Sequence, residues 1–428
     1  MPDAIVNGHR DARNGRRDAR NEHRDARNLH RDARSARSGL GIPVRGHPPD
    51  APRMRIAYFT ESLLPHVDGV SLTLARLFAT LEKRAVDFTV FSPFVPDGTV
   101  TWHERVRAVR YVRFPPYPDY RVSLPFSPGV GRALADYAPS LIHVVSPTPM
   151  AVWAQRQAAR LGVPVVASFH TDFVAYFPYY GVRPLEPLGW RYLRWFHSRC
   201  ARTYVPSPTK AAELADRGIP GIELWTRGID RTRFGSRFRD DALRRTVAGD
   251  ADTPIVLLVS RLVREKNLAD LIGMDRILKQ RGLRYRLALV GDGPMRRELE
   301  AALPDACFAG HQTGDALARW YASADVFVFP STTETFGNVV LEALASGVPA
   351  VVVDRGGPQD LILDGETGFV VPACRPDELA GKVERLARDP ALRRRFGARA
   401  EQEAASRDWD AVNGRLLDSY AEVIAAAR

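Results

Sequence analysis

Short apolar runs alternate with helix-like segments along the chain from Met54 onward. In the first half, the runs predict strands at RIAYFT (55–60), DFTVFS (87–92), LIHVVS (141–146), PVVASFH (164–170) and RTYVPS (202–207). In the second half, they predict strands at PIVLLVSRL (254–262), YRLALVGDG (285–293), CFAG (307–310), DVFVFPS (325–331) and PAVVVD (349–354). The segments between the runs have the apolar spacing of helices. Strands that alternate with helices predict βαβ units and parallel sheets.

This order of elements predicts an α/β chain with two Rossmann-like, doubly wound domains, at residues 54–228 and 229–408. A chain of 428 residues is also too long for one ordinary core. Ligands of such sheets bind at the carboxyl ends of the strands, and with two domains they bind in the cleft between them. The candidate functional residues are therefore those that directly follow a strand.

The segment before Met54 has a different pattern. It carries 12 Arg against 7 Asp and Glu, in a chain of net charge +11, and it repeats HRDARNG-like heptads from His9 to Ala36. The repeat has no apolar stripe, so we expect a solvated, disordered tail over residues 1–53. Arginine-rich tails can bind nucleic acid, but each Arg of the repeat has an Asp close by, and no nucleic-acid partner is expected. Alternatively, Met54 is the true start and the repeat is dispensable.

Cysteine usage and hydropathy indicate the compartment. The three cysteines, Cys200, Cys307 and Cys374, lie far apart and outside any CxxC spacing, which argues against a disulfide framework or a zinc site. The chain has no apolar run long enough to span a membrane and no secretory signal at its N-terminus. We therefore expect a cytoplasmic protein.

Charged and polar residues follow several predicted strands. Gly69 precedes a helix, where free amides could approach a phosphate, although a plain capped turn is an equal alternative. Arg261 and Lys266 follow the first strand of the second half and could neutralise a pyrophosphate, or be an ordinary surface pair. After PVVASFH, His170 could donate a hydrogen bond to a sugar hydroxyl. Asp172 could accept one or help activate an acceptor, unless both only stabilise a turn.

The stretch TETFGNVVLEALASG (333–347) places Glu334 in the loop after DVFVFPS and Glu342 on the following helix. A helix that begins near Gly337 or Asn338 directs its positive end and four amides into the cleft, those of Phe336, Gly337, Asn338 and Val339. A sugar-nucleotide diphosphate fits this arrangement. The alternative is that Glu342 is a solvated helix residue and Glu334 a capping acid.

Two further motifs give weak signals. GDGP (291–294) lacks the third glycine of GxGxxG, which disfavours a dinucleotide oxidoreductase. The triplet Asp250-Ala251-Asp252 has the DxD form used by metal-dependent sugar transferases, but it precedes a strand. We therefore assign no metal.

Together these motifs resemble the retaining glycosyltransferases of family 4, which have the GT-B fold. The resemblance runs from Met54 to the C-terminus and rests on the Glu334-x7-Glu342 element, SRLVREKNL, VGDGP, YASADVFVFPS, SGVP and GETGF. It implies an acceptor domain at 54–228, a donor domain at 229–408 and a last helix, 409–428, that crosses back to the first domain. It also implies a front-face mechanism that needs no cofactor or metal, only a nucleotide-diphosphate sugar as co-substrate.

The same resemblance implies roles for single residues. Arg261 and Lys266 would bind the donor pyrophosphate, and Glu342 the ribose. Glu334 would bind the transferred hexose together with the backbone of Phe336, Gly337, Asn338 and Val339. Gly69 would lie near the phosphates, and His170 would lie beside the anomeric centre.

Within the family, FHTDFVAYFPYYG and WTRGIDRTRF resemble α-mannosyltransferases that use GDP-mannose and glucosyl or sulfoquinovosyl transferases that use UDP-sugars. We favour GDP-mannose with a lipid or glycan acceptor. A nucleotide-sugar epimerase with a related fold is a further alternative. The aromatic and basic segment WRYLRWFHSRCAR (190–202) could contact anionic lipid at the inner face of the plasma membrane, or be an ordinary packed helix.

Overall fold

The computed structural model describes residues 54–114, 117–250 and 252–428. The predicted tail of residues 1–53 lies outside these described residues. Within them, the chain forms two parallel sheets that follow one another in sequence, together with a short antiparallel hairpin. The prediction of two Rossmann-like halves is therefore confirmed.

The first sheet has the strand order β3-β2-β1-β6-β7-β8-β9, and every neighbouring pair is parallel. Its strands are β1 (Arg55–Phe59), β2 (Asp87–Ser92), β3 (Val106–Ala108), β6 (Leu141–Val144), β7 (Val165–Ser168), β8 (Arg202–Val205) and β9 (Ile222–Leu224). The hairpin consists of β4 (Tyr111–Phe114) and β5 (Tyr117–Ser123). The associated helices are α1 (Gly69–Lys83), α2 (Val130–Tyr137), α3 (Pro149–Leu161), α4 (Glu186–His197) and α5 (Pro208–Asp216).

The second sheet has the order β12-β11-β10-β13-β14-β15 and is also parallel. Its strands are β10 (Ile255–Val259), β11 (Arg286–Val290), β12 (Cys307–Gly310), β13 (Val326–Phe329), β14 (Ala350–Val353) and β15 (Gly368–Val371). Its helices are α6 (Asp241–Ala248), α7 (Leu268–Gln280), α8 (Arg296–Ala302), α9 (Gly314–Ser323), α10 (Asn338–Ala345), α11 (Pro376–Arg388) and α12 (Pro390–Ala405).

Both faces of the first sheet are buried. Along β1, Ile56 and Tyr58 belong to one apolar cluster, while Ala57 and Phe59 belong to the cluster on the opposite face. Residues alternate between the two faces of a strand, so a continuous apolar run is what a sheet covered by helices on both sides requires. This is the physical reason why the apolar runs located the strands.

The last helix, α13 (Trp409–Ala426), packs on the first sheet although it follows the second in sequence. Leu416, Tyr420 and Val423 share an apolar cluster with residues of β1 and α1. Arg202 of β8 also donates a hydrogen bond to Glu422, at 2.7 Å. The first lobe is therefore completed by the C-terminal end of the chain.

Sequence patterning missed the hairpin strands β4 and β5 together with β3, β9 and β15, and it extended other strands too far. β3 and β9 have three residues each, which is too short to show a period. Residues 260–262 and 291–293, which we predicted as strand, lie in loops after β10 and β11. These loops lie at the carboxyl edge of the sheet, where ligands of such folds bind.

Candidate active site

Helix α10 begins at the carboxyl end of the second sheet. Gly337 precedes it with a φ of +95°, a conformation that favours glycine, and no side chain of the described residues caps it. The loop before it is tightly held, because a Cβ on Gly357 would lie 2.2 Å from the Thr335 carbonyl oxygen. The amides of Phe336, Gly337, Asn338 and Val339 are therefore presented at a rigid, positive helix end without a capping side chain.

The start of α1 in the first lobe meets this helix end. Asp68 caps α1, with its carboxylate accepting from the amides of Val70 and Ser71 at 2.8 and 2.7 Å. A Cβ on Gly69 would lie 3.1 Å from Nδ2 of Asn338. The two alternatives for Gly69 are thus compatible, since the turn is capped and Gly69 also lies against α10. Two helix N-termini, one from each lobe, adjoin at this point.

The two candidate cations occupy different environments. Lys266 lies in a turn of 3-10 helix (Arg264–Lys266), is 9% exposed and donates a hydrogen bond to the Glu334 carboxylate. Arg261 is 60% exposed, and its Nη2 lies 3.7 Å from Oε1 of the buried Glu265. The structure therefore brings Lys266 and Glu334, which are 68 residues apart in sequence, into one ion pair at the cleft.

Glu342 lies on α10 facing inward. Tyr321 donates a hydrogen bond to its Oε2 at 2.9 Å. Burial raises the pKa of Glu342 to about 7, although the hydrogen bond from Tyr321 and the charge of Arg233 act against this. Glu342 is therefore a half-buried, hydrogen-bonded residue rather than a freely solvated one, and no side chain of the described residues, Glu334 included, caps α10.

His170 follows β7 and is buried. Its Nδ1 lies 2.6 Å from Nη2 of Arg227, and its ring meets the edge of Trp225 at a centroid distance of 5.3 Å. Its carbonyl oxygen accepts a 2.6 Å hydrogen bond from the Thr335 hydroxyl, which places His170 beside the loop that carries Glu334.

Asp172 is 1% exposed, and both of its oxygens are engaged. Oδ1 accepts from the amide of Ala175, at the start of the 3-10 helix Val174–Tyr180, and Oδ2 accepts from Nζ of Lys210, each at 3.0 Å. In this arrangement Asp172 shapes the loop after β7. A direct role for Asp172 in chemistry stays a prediction.

Further contacts hold the two sides of the cleft together. The Ser207 hydroxyl donates to the Thr335 carbonyl at 2.8 Å, and the Tyr179 hydroxyl lies 3.0 Å from that of Thr332. The Tyr180 hydroxyl donates to Glu265 at 3.4 Å. The His170 loop of the first lobe is thereby in direct contact with the donor-site loops predicted for the second.

The structure adds residues that sequence reasoning missed. Arg227 and Lys210 are both buried beside predicted site residues. For Arg227, the local signal is the segment WTRGID, in which a Trp and an Arg directly follow a strand. A long cation normally stays in water, so its burial depends on a partner that the local sequence does not reveal.

The described residues contain no group of three or more His, Cys, Asp and Glu side chains that could hold a metal ion. The Asp250 carboxylate of the DxD triplet accepts hydrogen bonds from Thr253 and Arg284. Nor does any helix in the described part of the chain have the length and apolar character to cross a membrane.

Two family models match the two halves of the chain. The model described as Glycosyltransferase Family 4 matches residues 67–233, and the model described as Glycosyl transferases group 1 matches residues 240–403. A GDP-mannose-dependent alpha-mannosyltransferase of Mycolicibacterium smegmatis is 36% identical over 380 residues, which cover 87% of this chain and 98% of that protein.

The chain belongs to this family of glycosyltransferases. The predicted enzyme class and the resemblance to family 4 are thereby confirmed. A second relative is the sulfoquinovosyl transferase SQD2 of Arabidopsis thaliana, which is 33% identical over 85% of this chain and 72% of its own length.

Solved structures confirm the GT-B fold of this glycosyltransferase. Sucrose-phosphate synthase from Thermosynechococcus elongatus superposes with a TM-score of 0.72 at 22% identity, over 87% of this chain and all of that one. The Anabaena protein HepE, crystallised with UDP, superposes with a TM-score of 0.68 at 20% identity, over 86% of this chain and 99% of that one.

Proposed function

We propose that this glycosyltransferase moves mannose from GDP-mannose to a hydroxyl group of a lipid or glycan acceptor, with retention at the anomeric carbon and without a metal ion. Relatives named GDP-mannose-dependent alpha-mannosyltransferase, 34–36% identical over most of the chain, support the donor. The runner-up is a UDP-sugar-dependent glycolipid transferase, glucosyl or sulfoquinovosyl, which the similarity to SQD2 favours.

One observation supports the donor site most directly. The N-terminus of α10, which no side chain of the described residues caps, adjoins Gly69 at the start of α1. Lys266 forms an ion pair with Glu334 in the loop that leads into α10. Helix N-termini and cations are the groups that bind phosphate in proteins, and a diphosphate needs several of them. In the proposed complex, Lys266 and the exposed Arg261 bind the diphosphate, and Glu334 binds the hexose. The α10 amides contact both the hexose and the phosphate to which it is joined.

In the proposed front-face reaction, the acceptor oxygen forms its bond to the anomeric carbon on the side from which the diphosphate departs. The bond from that carbon to the β-phosphate oxygen breaks, and the acceptor proton passes to the departing phosphate. The products are GDP and the mannoside. Lys266, Arg261 and the α10 amides stabilise the charge that develops on the leaving diphosphate, and preorganised groups of this kind give the largest rate effects.

Glu342 is assigned to the nucleoside. As a carboxylate it accepts hydrogen bonds from the two vicinal ribose hydroxyls, at one turn of helix from the diphosphate amides. Because its pKa is about 7, donor binding is expected to strengthen as the pH rises through neutrality.

The decisive experiment is a donor screen followed by a transfer assay. Thermal shift with GDP-, UDP- and ADP-sugars should give the largest stabilisation with GDP-mannose. Incubation with radiolabelled GDP-mannose and lipid extract should then place the label in a lipid or glycan product. Label recovered only as free mannose would contradict the transferase proposal, and a larger shift with UDP-sugars would favour the runner-up.

We further propose that helix α4 contacts anionic lipid. One of its faces is packed, through Trp190, Leu193 and Phe196, while Leu188 is 60% and Trp195 38% exposed. Aromatic and apolar side chains beside arginines are typical of helices that lie in a lipid interface.

A vesicle experiment tests this contact. The full chain should co-sediment with vesicles that contain phosphatidylglycerol and much less with pure phosphatidylcholine. The double variant Leu188→Ser, Trp195→Ser should lose the association while retaining its fold by circular dichroism. Equal binding to both vesicles, or no binding, would contradict the proposal.

A further inference from the structure

The pair formed by Arg227 and His170 determines where the imidazole carries its proton. Nη2 of Arg227 lies 2.6 Å from Nδ1 of His170. A guanidinium has only donors, so Nδ1 must be the acceptor in this hydrogen bond. An imidazole whose Nδ1 accepts a hydrogen bond is neutral and carries its single proton on Nε2.

The surroundings keep the ring neutral. Burial first, and then the neighbouring Arg227 and His143, lower the pKa of His170 well below its usual value. Burial also lowers the pKa of Arg227 to about 9, which leaves the guanidinium charged at neutral pH. The Trp225 ring, which bears no charge, packs against the imidazole at a centroid distance of 5.3 Å.

Backbone carbonyl groups fix the position of the Arg227 guanidinium. It is 4% exposed, and it donates to the carbonyl oxygens of Trp225 and Thr226 at 2.8 and 3.2 Å. Among residues 54–114, 117–250 and 252–428, no carboxylate forms an ion pair with Arg227. The guanidinium carbon also lies 5.2 and 6.0 Å from the ring centroids of Trp225 and Phe336, which offset part of the cost of burying the charge. A buried cation that has no carboxylate partner is still costly, which argues against a purely structural role for Arg227.

The second ring nitrogen of His170, Nε2, differs from Nδ1 in its hydrogen bonding. Nε2 of His170 is buried and has no hydrogen-bond partner in the part of the chain that the structure describes. Leaving a buried donor unpaired costs about 1–3 kcal/mol, and such groups in native proteins usually have a functional reason. The Thr335 hydroxyl, which donates to the His170 carbonyl, ties this residue to the loop of Glu334, where the hexose is proposed to bind.

We propose that Arg227 is a positioning residue that holds His170 in the neutral Nε2–H form, so that the ring presents one hydrogen-bond donor to an oxygen of the transferred sugar. The inference rests on the proposed function for the identity of the ligand. It restricts His170 to donation, because a neutral ring with Nδ1 occupied by Arg227 neither accepts a proton from the acceptor nor delivers one.

The first test concerns the folded protein without any substrate. In protein labelled with ¹⁵N-histidine, long-range ¹H–¹⁵N spectra report which ring nitrogen is protonated, and His170→Gln identifies the signal among the 10 histidines. We expect His170 to show a protonated Nε2 and an unprotonated Nδ1 from pH 6 to 8.5. A protonated Nδ1, or titration of the ring within this range, would overturn the proposal. This result does not depend on what the enzyme transfers, so it separates failure of the tautomer from failure of the proposed function.

The second test uses substitutions at Arg227. Arg227→Met should lower kcat roughly tenfold to hundredfold, the size of loss known for partners that orient metal-binding histidines, with a smaller change in KM for the donor. It should also change the His170 ¹⁵N spectrum. Arg227→Lys, which retains a donor, should keep the Nε2–H form and recover part of kcat. The exposed Arg231→Met is the matched control and should behave as wild type.

Two outcomes of the second test would contradict the inference. One is wild-type kcat in Arg227→Met, and the other is a loss of kcat in Arg227→Met with an unaltered His170 spectrum. As an independent check, His170→Gln, whose amide N–H reaches roughly the place of Nε2–H, should retain more activity than His170→Asn. Equal activity of these two variants would argue against donation from Nε2.

Discussion

The two sides of the cleft differ in how far their polar groups are buried and hydrogen-bonded. On the first lobe, His170, Asp172, Lys210 and Arg227 are buried and hydrogen-bonded to one another or to backbone. On the second lobe, the helix end of α10 has no capping side chain among the described residues, and Arg261 is 60% exposed. The first lobe therefore supplies a fixed framework, and the second supplies groups that are still free to change partners.

The physical reason lies in the cost of burying charge. Burying an unpaired charge is costly, and the buried Lys210 and Asp172 avoid this cost by pairing with each other in the absence of any ligand. Lys266 is the intermediate case, since it is buried but its partner Glu334 is 28% exposed and lies at the cleft. We expect substitutions of the buried Asp172–Lys210 pair to affect mainly stability, and those in the second lobe to affect mainly donor binding and turnover.

The largest expected effect concerns Lys210. Lys210→Met leaves the Asp172 carboxylate buried without its cation, which should lower the free energy of unfolding by about 3–5 kcal/mol. Urea or guanidinium titration measures this loss. The double variant Asp172→Asn, Lys210→Met should recover much of it, and Glu213→Gln, which alters a more exposed partner of Lys210, should cost at most about 1 kcal/mol. Wild-type stability of Lys210→Met would contradict the structural role of the buried pair in the first lobe.

Lys266 should show the reverse behaviour. Lys266→Ala should lower kcat/KM by about 10²–10³-fold, the effect of removing one group that stabilises developing charge, while the protein stays folded. Steady-state kinetics with the donor identified in the screen measures it. Lys279→Ala, which removes an ion-paired lysine from the surface of α7, is the control and should match wild type. A loss of stability without a loss of kcat/KM would show that Lys266 has a structural role like that of Lys210.

Glu342 tests the nucleoside end of the donor site. Glu342→Ala should weaken donor binding about tenfold, the loss expected when hydrogen bonds to a charged acceptor are removed. Calorimetric titration with the nucleotide-sugar measures the affinity. Glu300→Ala, an exposed carboxylate on α8, should leave it unchanged. An unaltered affinity in Glu342→Ala would exclude the ribose role.

The same residue predicts a pH dependence of stability. Because burial raises the pKa of Glu342 from 4.5 to about 7, the folded state binds a proton more tightly than the unfolded state. This contribution is complete below pH 4.5 and is lost as the pH rises through 7. Glu342→Gln should therefore be more stable than wild type at pH 8, by about 1–2 kcal/mol because solvent partly screens the carboxylate, and nearly equal at pH 5. A difference that is independent of pH would contradict the assignment.

Gly69 should give the smallest effect. An added Cβ would approach Nδ2 of Asn338 to 3.1 Å, which the flexible amide can relieve by a small shift. Gly69→Ala should change the free energy of unfolding by less than about 1 kcal/mol and weaken donor binding about threefold, or roughly 0.6 kcal/mol. Gly131→Ala, where the new Cβ has only an ordinary contact with Trp153, is the control. A large loss of stability at Gly69 would show that the junction of α1 and α10 is rigid.

The amino-acid sequence by itself determined the class of fold and pointed to the strand ends that carry the candidate site. Apolar runs buried on both faces of a sheet are a local property, so all ten predicted strands were found in their correct order. In a parallel sheet, the residues that directly follow the strands lie at the same edge, where ligands bind. For this reason the sequence alone could single out Gly69, His170, Lys266 and Glu334. Their roles toward the donor stay predictions.

Only the tertiary structure decided which of these groups pair with one another. Lys266 bonds to Glu334 across 68 residues of sequence, and Arg227 bonds to His170 across 57. Asp172 follows a strand just as His170 does, but its carboxylate accepts a hydrogen bond from Lys210. Such pairings are determined by which charges are buried together, and burial depends on the packing of distant elements rather than on local sequence.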